Sequence, residues 1–200
     1  STVLDADRDI TDRHDARELH RIDGHLELDG VVFAYGEEPV IHGLDLEIPS
    51  GGCIALVGES GGGKSTTAKL IARFYDPADG AVRIDGVDLR DVRLRSYRRQ
   101  LGVVLQDPFL FSGTIADNIR FGRPDATDDE VVDAARAIGV DRVAARFEDG
   151  LAHVVREGGA GLSAGERQLI SIARALVADP RILILDEATS NIDRPTEVLI

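Results

Sequence analysis

The sequence predicts an α/β fold with an N-terminal antiparallel β layer, a mixed or parallel central sheet and an inserted α-helical region. Three observations carry that prediction. From His25 the chain alternates, with Leu26, Leu28, Val31 and Phe33 apolar among polar neighbours, the period of a half-buried strand. The apolar run 53–57 leads directly into Gly58-Glu59-Ser60-Gly61-Gly62-Gly63-Lys64-Ser65-Thr66 and then into a helix-periodic segment, so strand, glycine loop and helix follow in order. From Thr114 to about Phe147 the stretches are amphipathic and helical, without a strand signal.

Taken in order, residues 1–21 are crowded with Asp, Arg, Glu and His and read as an exposed linker or solvated helix. Strands are expected from His25 to Phe33 and over 40–48, with a turn at Gly36-Glu37-Glu38 between them. Pro49-Ser50-Gly51-Gly52 turns the chain into the run 53–57, read as a buried parallel strand, and the helix is expected over 64–74. A strand over 81–85, a hairpin at Asp85-Gly86, a short basic helix over 93–100 and a strand over 102–105 follow, the last stopped by Gln106-Asp107-Pro108. Helices are expected over 127–138, 140–147 and 163–178, the first opened by Thr127 with Glu130 three residues on, and a buried strand over 182–185.

Two hundred residues suffice for one α/β domain with a core of its own. The 36 acidic and 23 basic side chains leave a net charge of -13, which argues against a nucleic-acid surface or a polybasic membrane contact. No apolar run reaches the length of a membrane span and no signal peptide opens the chain, so this stretch reads as soluble by itself. The lone Cys53 cannot form an internal disulfide and reads as a small core residue. The start at Ser1, the lack of methionine and the end at Ile200 within a helix-like segment read as a piece cut from a longer polypeptide.

The glycine stretch fits G-x-x-x-x-G-K-[ST] without a gap. Glycines reach backbone angles that side chains forbid, so successive N–H groups can turn inward around a β-phosphate, and the helix N-terminus adds partial positive charge. Lys64 would reach the β- and γ-phosphates, and the Ser65 hydroxyl would complete the coordination of Mg²⁺, which prefers hard oxygen ligands. The expected ligand is a nucleoside triphosphate.

About a hundred residues later comes Leu162-Ser163-Ala164-Gly165-Glu166-Arg167-Gln168, followed by Ile182-Leu183-Ile184-Leu185-Asp186-Glu187. With the glycine loop, these resemble the nucleotide-binding domain of ATP-binding cassette (ABC) proteins, whose L-S-G-G-Q signature and apolar-run-plus-D-E motif occur in this order. The resemblance runs from about His25 to Ile200. It implies a P-loop NTPase (RecA-like) core, the Walker A motif at 58–66 and Walker B at 182–187. It also implies a nucleotide-binding domain over 22–200, a helical subdomain over about 107–165, and ATP with Mg²⁺ as ligands. By the same resemblance Tyr35 stacks on adenine, Gln106 touches the metal or the attacking water, Asp186 holds Mg²⁺ through water and Glu187 is the general base. Ser163 and Gly165 approach the γ-phosphate bound by a second domain, with Leu162, Ala164 and Glu166 beside them, and Asp193 in Ser190-Asn191-Ile192-Asp193 takes the D-loop place.

The pattern departs at Ala164, where the family has glycine, and at Glu166, where it has glutamine; an acid there adds negative charge near a nucleotide. The family's switch histidine would fall some thirty residues after Glu187, beyond Ile200, and none of His14, His20, His25, His42 and His153 matches it. The stretch 104–115 with Glu157-Gly158-Gly159 resembles the exporter branch most. That branch implies a transmembrane domain preceding this one on the same chain, joined through 1–21, a second nucleotide-binding domain as homo- or heterodimer partner, and the cytoplasmic face of the membrane. The main expectation is an ATPase powering export; the alternative is a degenerate, regulatory ATP-binding half, motivated by Ala164 and Glu166. A soluble ABC ATPase acting on DNA or ribosomes is disfavoured by the acidic balance and by the lack of a long coiled coil between Ser65 and Leu162.

Overall fold

The computed structural model describes residues 10–59, 61–104 and 108–186. It is an α/β fold in two compact units, 1–101 and 102–200.

The first unit contains β1 (Leu26–Ala34), β2 (Pro39–Ile48), α1 (Lys64–Ile71), β3 (Asp79–Ile84), β4 (Val87–Asp88) and α2 (Leu94–Arg98). The strands form one sheet in the order β2-β1-β3-β4, every neighbouring pair antiparallel. The apolar residues of β1 change phase between Leu28 and Val31, yet Leu26, Leu28, Val31 and Phe33 are all buried. A register irregularity between Leu28 and Val31 accounts for this, because an extra residue in one strand returns the later side chains to the same face. Gly30 sits there with φ +56, and its N–H donates to the Asp45 carboxylate at 2.7 Å. Across the sheet a Cβ on Gly80 would lie 2.4 Å from the carbonyl oxygens of Asp29 and Gly30, so only glycine permits this approach of two backbones. The β3–β4 hairpin turns at Asp85 and Gly86, whose φ values of 50° and 78° suit the two central residues of a tight hairpin. Asp85 also accepts backbone N–H bonds from Asp23, Gly24 and His25.

Residues 10–23 are largely exposed, as the composition suggests, yet they are anchored to this unit at several points. Arg17 forms a parallel bridge with Val92, with Arg17 N–H donating to Asp91 O and Arg93 N–H to Arg17 O, both at 2.8 Å. Asp12 accepts from Leu94 N–H at the start of α2, Ser96 Oγ from Leu19 N–H, and Gln100 Oε1 from Ile22 N–H. Ala16 and Ile22 are buried. The charged composition concealed these contacts because the segment's own backbone makes most of them.

The run 53–57 also differs from expectation. Among the described residues it pairs with no strand, Val57 is 89% exposed and Cys53 is exposed, so neither the buried strand nor the core cysteine is observed. Apolar composition marks a stretch able to be a buried strand, but burial requires partner strands on both sides, which periodicity does not specify.

The second unit holds all but the first residue of β5 (Leu101–Val104), which lies beside β8 (Ile182–Leu185), and β6 (Gly113–Thr114) antiparallel to β7 (Val154–Val155). Its helices are α3 (Ile115–Arg120), α4 (Asp128–Ala137), α5 (Val140–Ala144) and α6 (Ala164–Leu176). Thr114, Thr127 and Ser163 each open a helix with a capping box, closed by Asp117, Glu130 and Glu166. Gly139 at φ 79 breaks the chain between α4 and α5. The helices meet over one core that includes Ile115, Ile119, Val131, Ile138, Leu169, Ile170 and Ile172, several of them fully buried. Among the described residues no helix is long and apolar enough to cross a membrane.

Candidate functional site

The glycine loop ends where α1 begins. Gly61 and Gly63 adopt φ values of 85° and 81°, left-handed conformations that turn the backbone ahead of Lys64. Gly63 is the N-cap of α1 and supplies no side-chain cap bond. The Lys64 ammonium is turned back onto its own loop, donating to the carbonyls of Gly58 at 2.9 Å and Glu59 at 2.7 Å. The next turn is anchored more firmly: Thr66 and Thr67 are buried, and both the N–H and the hydroxyl of Thr67 donate to Gly63 O. Gly58, Glu59, Gly61 and Gly62 are exposed, and Gly62 N–H closes a turn on Glu59 O at 3.1 Å. Ser65 is half-buried at the second position of α1.

Tyr35 follows β1 directly and reaches the same helix. Its hydroxyl lies 3.3 Å from Thr66 Oγ1, and Lys69 Nζ stands 5.7 Å from the ring centroid. Edge-on contacts with Phe33 at 4.9 Å and Tyr75 at 5.2 Å hold the ring, while about half of Tyr35 stays exposed. An aromatic fixed by two others yet open on one side can stack on a planar ligand. Tyr97, by contrast, is a core residue; its hydroxyl donates to Ile71 O and burial pushes its phenol well above the usual tyrosine range.

In the second unit α6 starts at the signature. Ser163 N–H donates to Glu166 Oε2 at 2.8 Å and Glu166 N–H to Ser163 Oγ at 3.2 Å, a reciprocal cap. Arg146, just after α5, pairs with the other Glu166 oxygen at 2.6 Å. Leu162 is buried, Ala164 exposed and Gly165 half-buried, and Arg167 Nη1 donates to Leu162 O at 2.8 Å. Asp186 is half-buried after β8, its N–H donating to Val104 O of β5 at 3.0 Å, so the carboxylate is presented at a strand's carboxyl end.

Ser60, Gln106, Glu187, Asp193 and the rest of 187–200 lie outside the described residues. The segment just after Gln106 is described, and Asn118 and Arg174 organise it. Asn118 exchanges hydrogen bonds with the backbone of Phe111 and donates to Thr114 O. Arg174 donates to Phe109 O at 2.9 Å, to Asn118 O at 2.9 Å and to Asn118 Oδ1 at 2.8 Å, and burial pulls its guanidinium below its ordinary value. Arg174 also stands over the rings of Phe111 and Phe121, which with Phe109 form an exposed aromatic cluster. Sequence reasoning named neither Arg174, Asn118 nor Arg146. The S-x-x-E spacing at 163–166 is readable as a cap, but the long-range arginine partners have no local signature.

The residues present suit a magnesium nucleotide. In the first unit the Lys64 cation sits at the lip of a loop whose left-handed glycines precede an uncapped helix start, and Ser65 carries a hard oxygen atom of the kind Mg²⁺ takes. Among the described residues no cluster of His, Cys, Asp and Glu forms a metal cage.

The chain resembles known proteins along nearly its whole length. A family model described as ABC transporter matches residues 41–190. The uncharacterized ABC transporter ATP-binding protein YknV of Bacillus subtilis is 49% identical over 198 residues, covering 98% of this chain and 33% of the relative. The ATP-dependent lipid A-core flippase of Syntrophus aciditrophicus is 45% identical over 197 residues, again 98% of this chain and 33% of the relative. A bacterial Atm1-family ABC exporter with ATP bound superposes with a TM-score of 0.94 at 42% identity, covering 100% of this chain and 35% of that one. The chain thus spans about a third of the length of these relatives. Since the family model covers well over half of the chain and relatives follow it along nearly its whole length, this chain belongs to the ABC transporter family, as an ATP-binding domain of exporter type.

Proposed function

We propose that this domain binds Mg-ATP at the 58–66 loop and hydrolyses it to power export across a membrane. The observation that carries the reading is the Lys64 ammonium, held on two carbonyls of its own loop at an uncapped helix start. Those bonds keep the cation folded over the loop, where a phosphate chain replaces carbonyl oxygens with fully charged ones. Tyr35 packs one face of the adenine. Mg²⁺, held by Ser65 and through water by Asp186, supplies charge neutralisation at the phosphate oxygens. Glu187 polarises the attacking water, and Gln106 positions it.

Two such domains pair head to tail, each signature segment, Leu162 to Glu166, facing the γ-phosphate on the other domain and Asp193 lying at the shared boundary. ATP closes the pair and hydrolysis reopens it. The relatives described as combined ATP-binding/permease proteins support a transmembrane partner on the same full-length chain; in this reading that partner precedes residues 1–21 and the domain lies at the cytoplasmic face. The exposed cluster of Phe109, Phe111 and Phe121, just after Gln106, is an apolar surface of the kind such a partner covers.

Calorimetry of Mg-ATP binding with phosphate release on the same sample tests the reading. In the intact protein, Glu187→Gln keeps ATP binding and lowers turnover by about 10² to 10⁴, the scale of a general base; unchanged hydrolysis removes Glu187 from the mechanism. The second reading, a regulatory half with little chemistry, is motivated by the acid at Glu166; stoichiometric ATP binding without turnover in a complete dimer selects it.

A further inference from the structure

Glu166 places a carboxylate in the first turn of α6, where the reading above brings a γ-phosphate from the partner domain. An uncompensated acid there would repel that phosphate. The carboxylate is not left open: Oε2 accepts from Ser163 N–H at 2.8 Å, and Oε1 is paired with Arg146 at 2.6 Å. The Glu166 side chain is only 16% exposed, whereas Arg146 is 55% exposed, so the acid is tucked against the helix start with the cation covering its outer side. Arg146 is itself fixed: its Nε donates to Val143 O and its guanidinium lies 5.5 Å from the Phe147 ring, which stacks on His153 at 3.6 Å. The pair thus ties the end of α5 to the start of α6.

We propose that Arg146 is a positioning residue for the signature segment. It acts through Glu166, neutralising the acid that this sequence carries in place of glutamine and holding it in the reciprocal cap with Ser163. Nothing in this role requires Arg146 to touch the nucleotide. The inference rests on the head-to-tail reading above for its effect on turnover, but not for its effect on the helix start.

The test is a two-by-two set of variants in the intact protein: wild type, Arg146→Ala, Glu166→Gln and Arg146→Ala/Glu166→Gln, with Arg146→Lys as the conservative variant. Steady-state ATPase is read as separate kcat and KM at low and moderate salt. Arg146→Ala is expected to lower kcat/KM about fivefold, mostly through KM for ATP and more strongly at low salt, the size of one partly exposed ion pair. The double variant should differ from Glu166→Gln by less than about twofold, because a neutral amide needs no counter-charge, and Arg146→Lys should recover most of the loss. A purely structural role for Arg146 predicts the opposite: equal losses in the glutamate and glutamine backgrounds, which overturns the proposal, as does a wild-type-like Arg146→Ala.

Amide hydrogen exchange at the start of α6 provides a readout free of ATP. In Arg146→Ala the Ser163 and Glu166 amides should exchange faster, with α4 and the far end of α6 unchanged. If the wild-type protein proves not to hydrolyse ATP, the functional reading fails, and the pair is then judged on exchange alone: unchanged protection at Ser163 overturns it.

Discussion

The starts of α1 and α6 both carry motifs of the proposed nucleotide site, yet they are built in opposite ways. Before α1 stands Gly63 with φ 81°, left-handed and without a side-chain cap; before α6 stands Ser163 with φ −67° and ψ 163°, in a complete capping box. A helix leaves its first N–H groups without internal partners, and something must satisfy them. At α6 Ser163 and Glu166 satisfy two of the first four from within the chain, the N–H groups of Ser163 and Glu166 themselves. At α1 the loop contributes backbone turns and a tethered cation instead, leaving the first turn suited to an external anion. Two helix starts that sequence motifs describe alike as phosphate-facing therefore differ in what they lack. The α1 start has no side-chain cap and relies on its loop, whereas the α6 start has a reciprocal cap that satisfies two of its N–H groups before any ligand arrives.

Removing the ligand-seeking group at α1 should have the largest effect. Lys64→Ala deletes a charged donor that phosphate oxygens would engage, an interaction of about 1.5 to 3 kcal/mol, and should weaken Mg-ATP binding by about 10²-fold in calorimetry while the melting temperature moves little. If affinity is retained, the loop is not the nucleotide site. Gly61→Ala asks whether backbone shape alone matters there. A Cβ on Gly61 meets nothing within 4 Å, so the cost is confined to φ +85°, about 1 to 2 kcal/mol for a left-handed alanine. About a tenfold loss of ATP affinity is expected, and an unchanged affinity shows that the loop binds in another conformation.

Much of this contrast was legible in the sequence. The glycine spacing announced the α1 start, and Thr127 with Glu130 announced the cap of α4 that is observed. Strand β8 fell where the apolar run 182–185 put it, although Leu183 and Leu185 are exposed and the expected burial is not observed, and the Asp85-Gly86 hairpin formed at the predicted turn. Such features are local, with cause and effect within about four residues. The unreadable parts depend on partners far along the chain. Residues 53–57 have the composition of a buried strand and none of its burial, because a strand's environment is set by its neighbours. Glu166 looked like an unbalanced charge because Arg146, its partner across the α5–α6 connection, carries no motif. The contacts of 10–23 with 91–100 were hidden for the same reason.

Breaking the α6 cap should have a smaller effect than breaking the α1 loop, and of a different kind. Ser163→Ala removes the acceptor for Glu166 N–H and should cost about 1 kcal/mol, the usual value of an N-cap hydroxyl. In a domain of this size that is a fall of about 2 to 4 °C in melting temperature by calorimetric scan. Lys64→Ala is expected to show the reverse pattern, with binding lost and melting kept. If Ser163→Ala leaves the melting temperature unchanged, the reciprocal cap contributes nothing to the fold.

The smallest effect tests whether the capping carboxylates act through charge. Asp117 closes the cap on α3, and the Thr114 hydrogen bonds to its carboxylate hold it below the ordinary aspartate value of 3.8. Glu130 does the same on α4, where the Thr127 N–H, with Arg123 and the Thr127 hydroxyl, holds it below 4.5. A folded-state pKa below the unfolded one means that the unfolded chain binds more protons in this range. The stabilisation is therefore complete above about pH 4.5, the unfolded value, and drains away as the pH falls through the lower folded-state values. Both carboxylates are well exposed, so water screens them and each contributes only a shallow slope. Asp117→Asn removes one titrating group while keeping a side-chain acceptor for Thr114 N–H. Melting temperatures of this variant and the wild type, measured from pH 6 down to pH 3, should converge as the pH falls, because the charge that distinguishes them is being lost from the wild type. Parallel curves with a constant offset would mean that the shape of the Asp117 side chain, and not its charge, holds the start of α3.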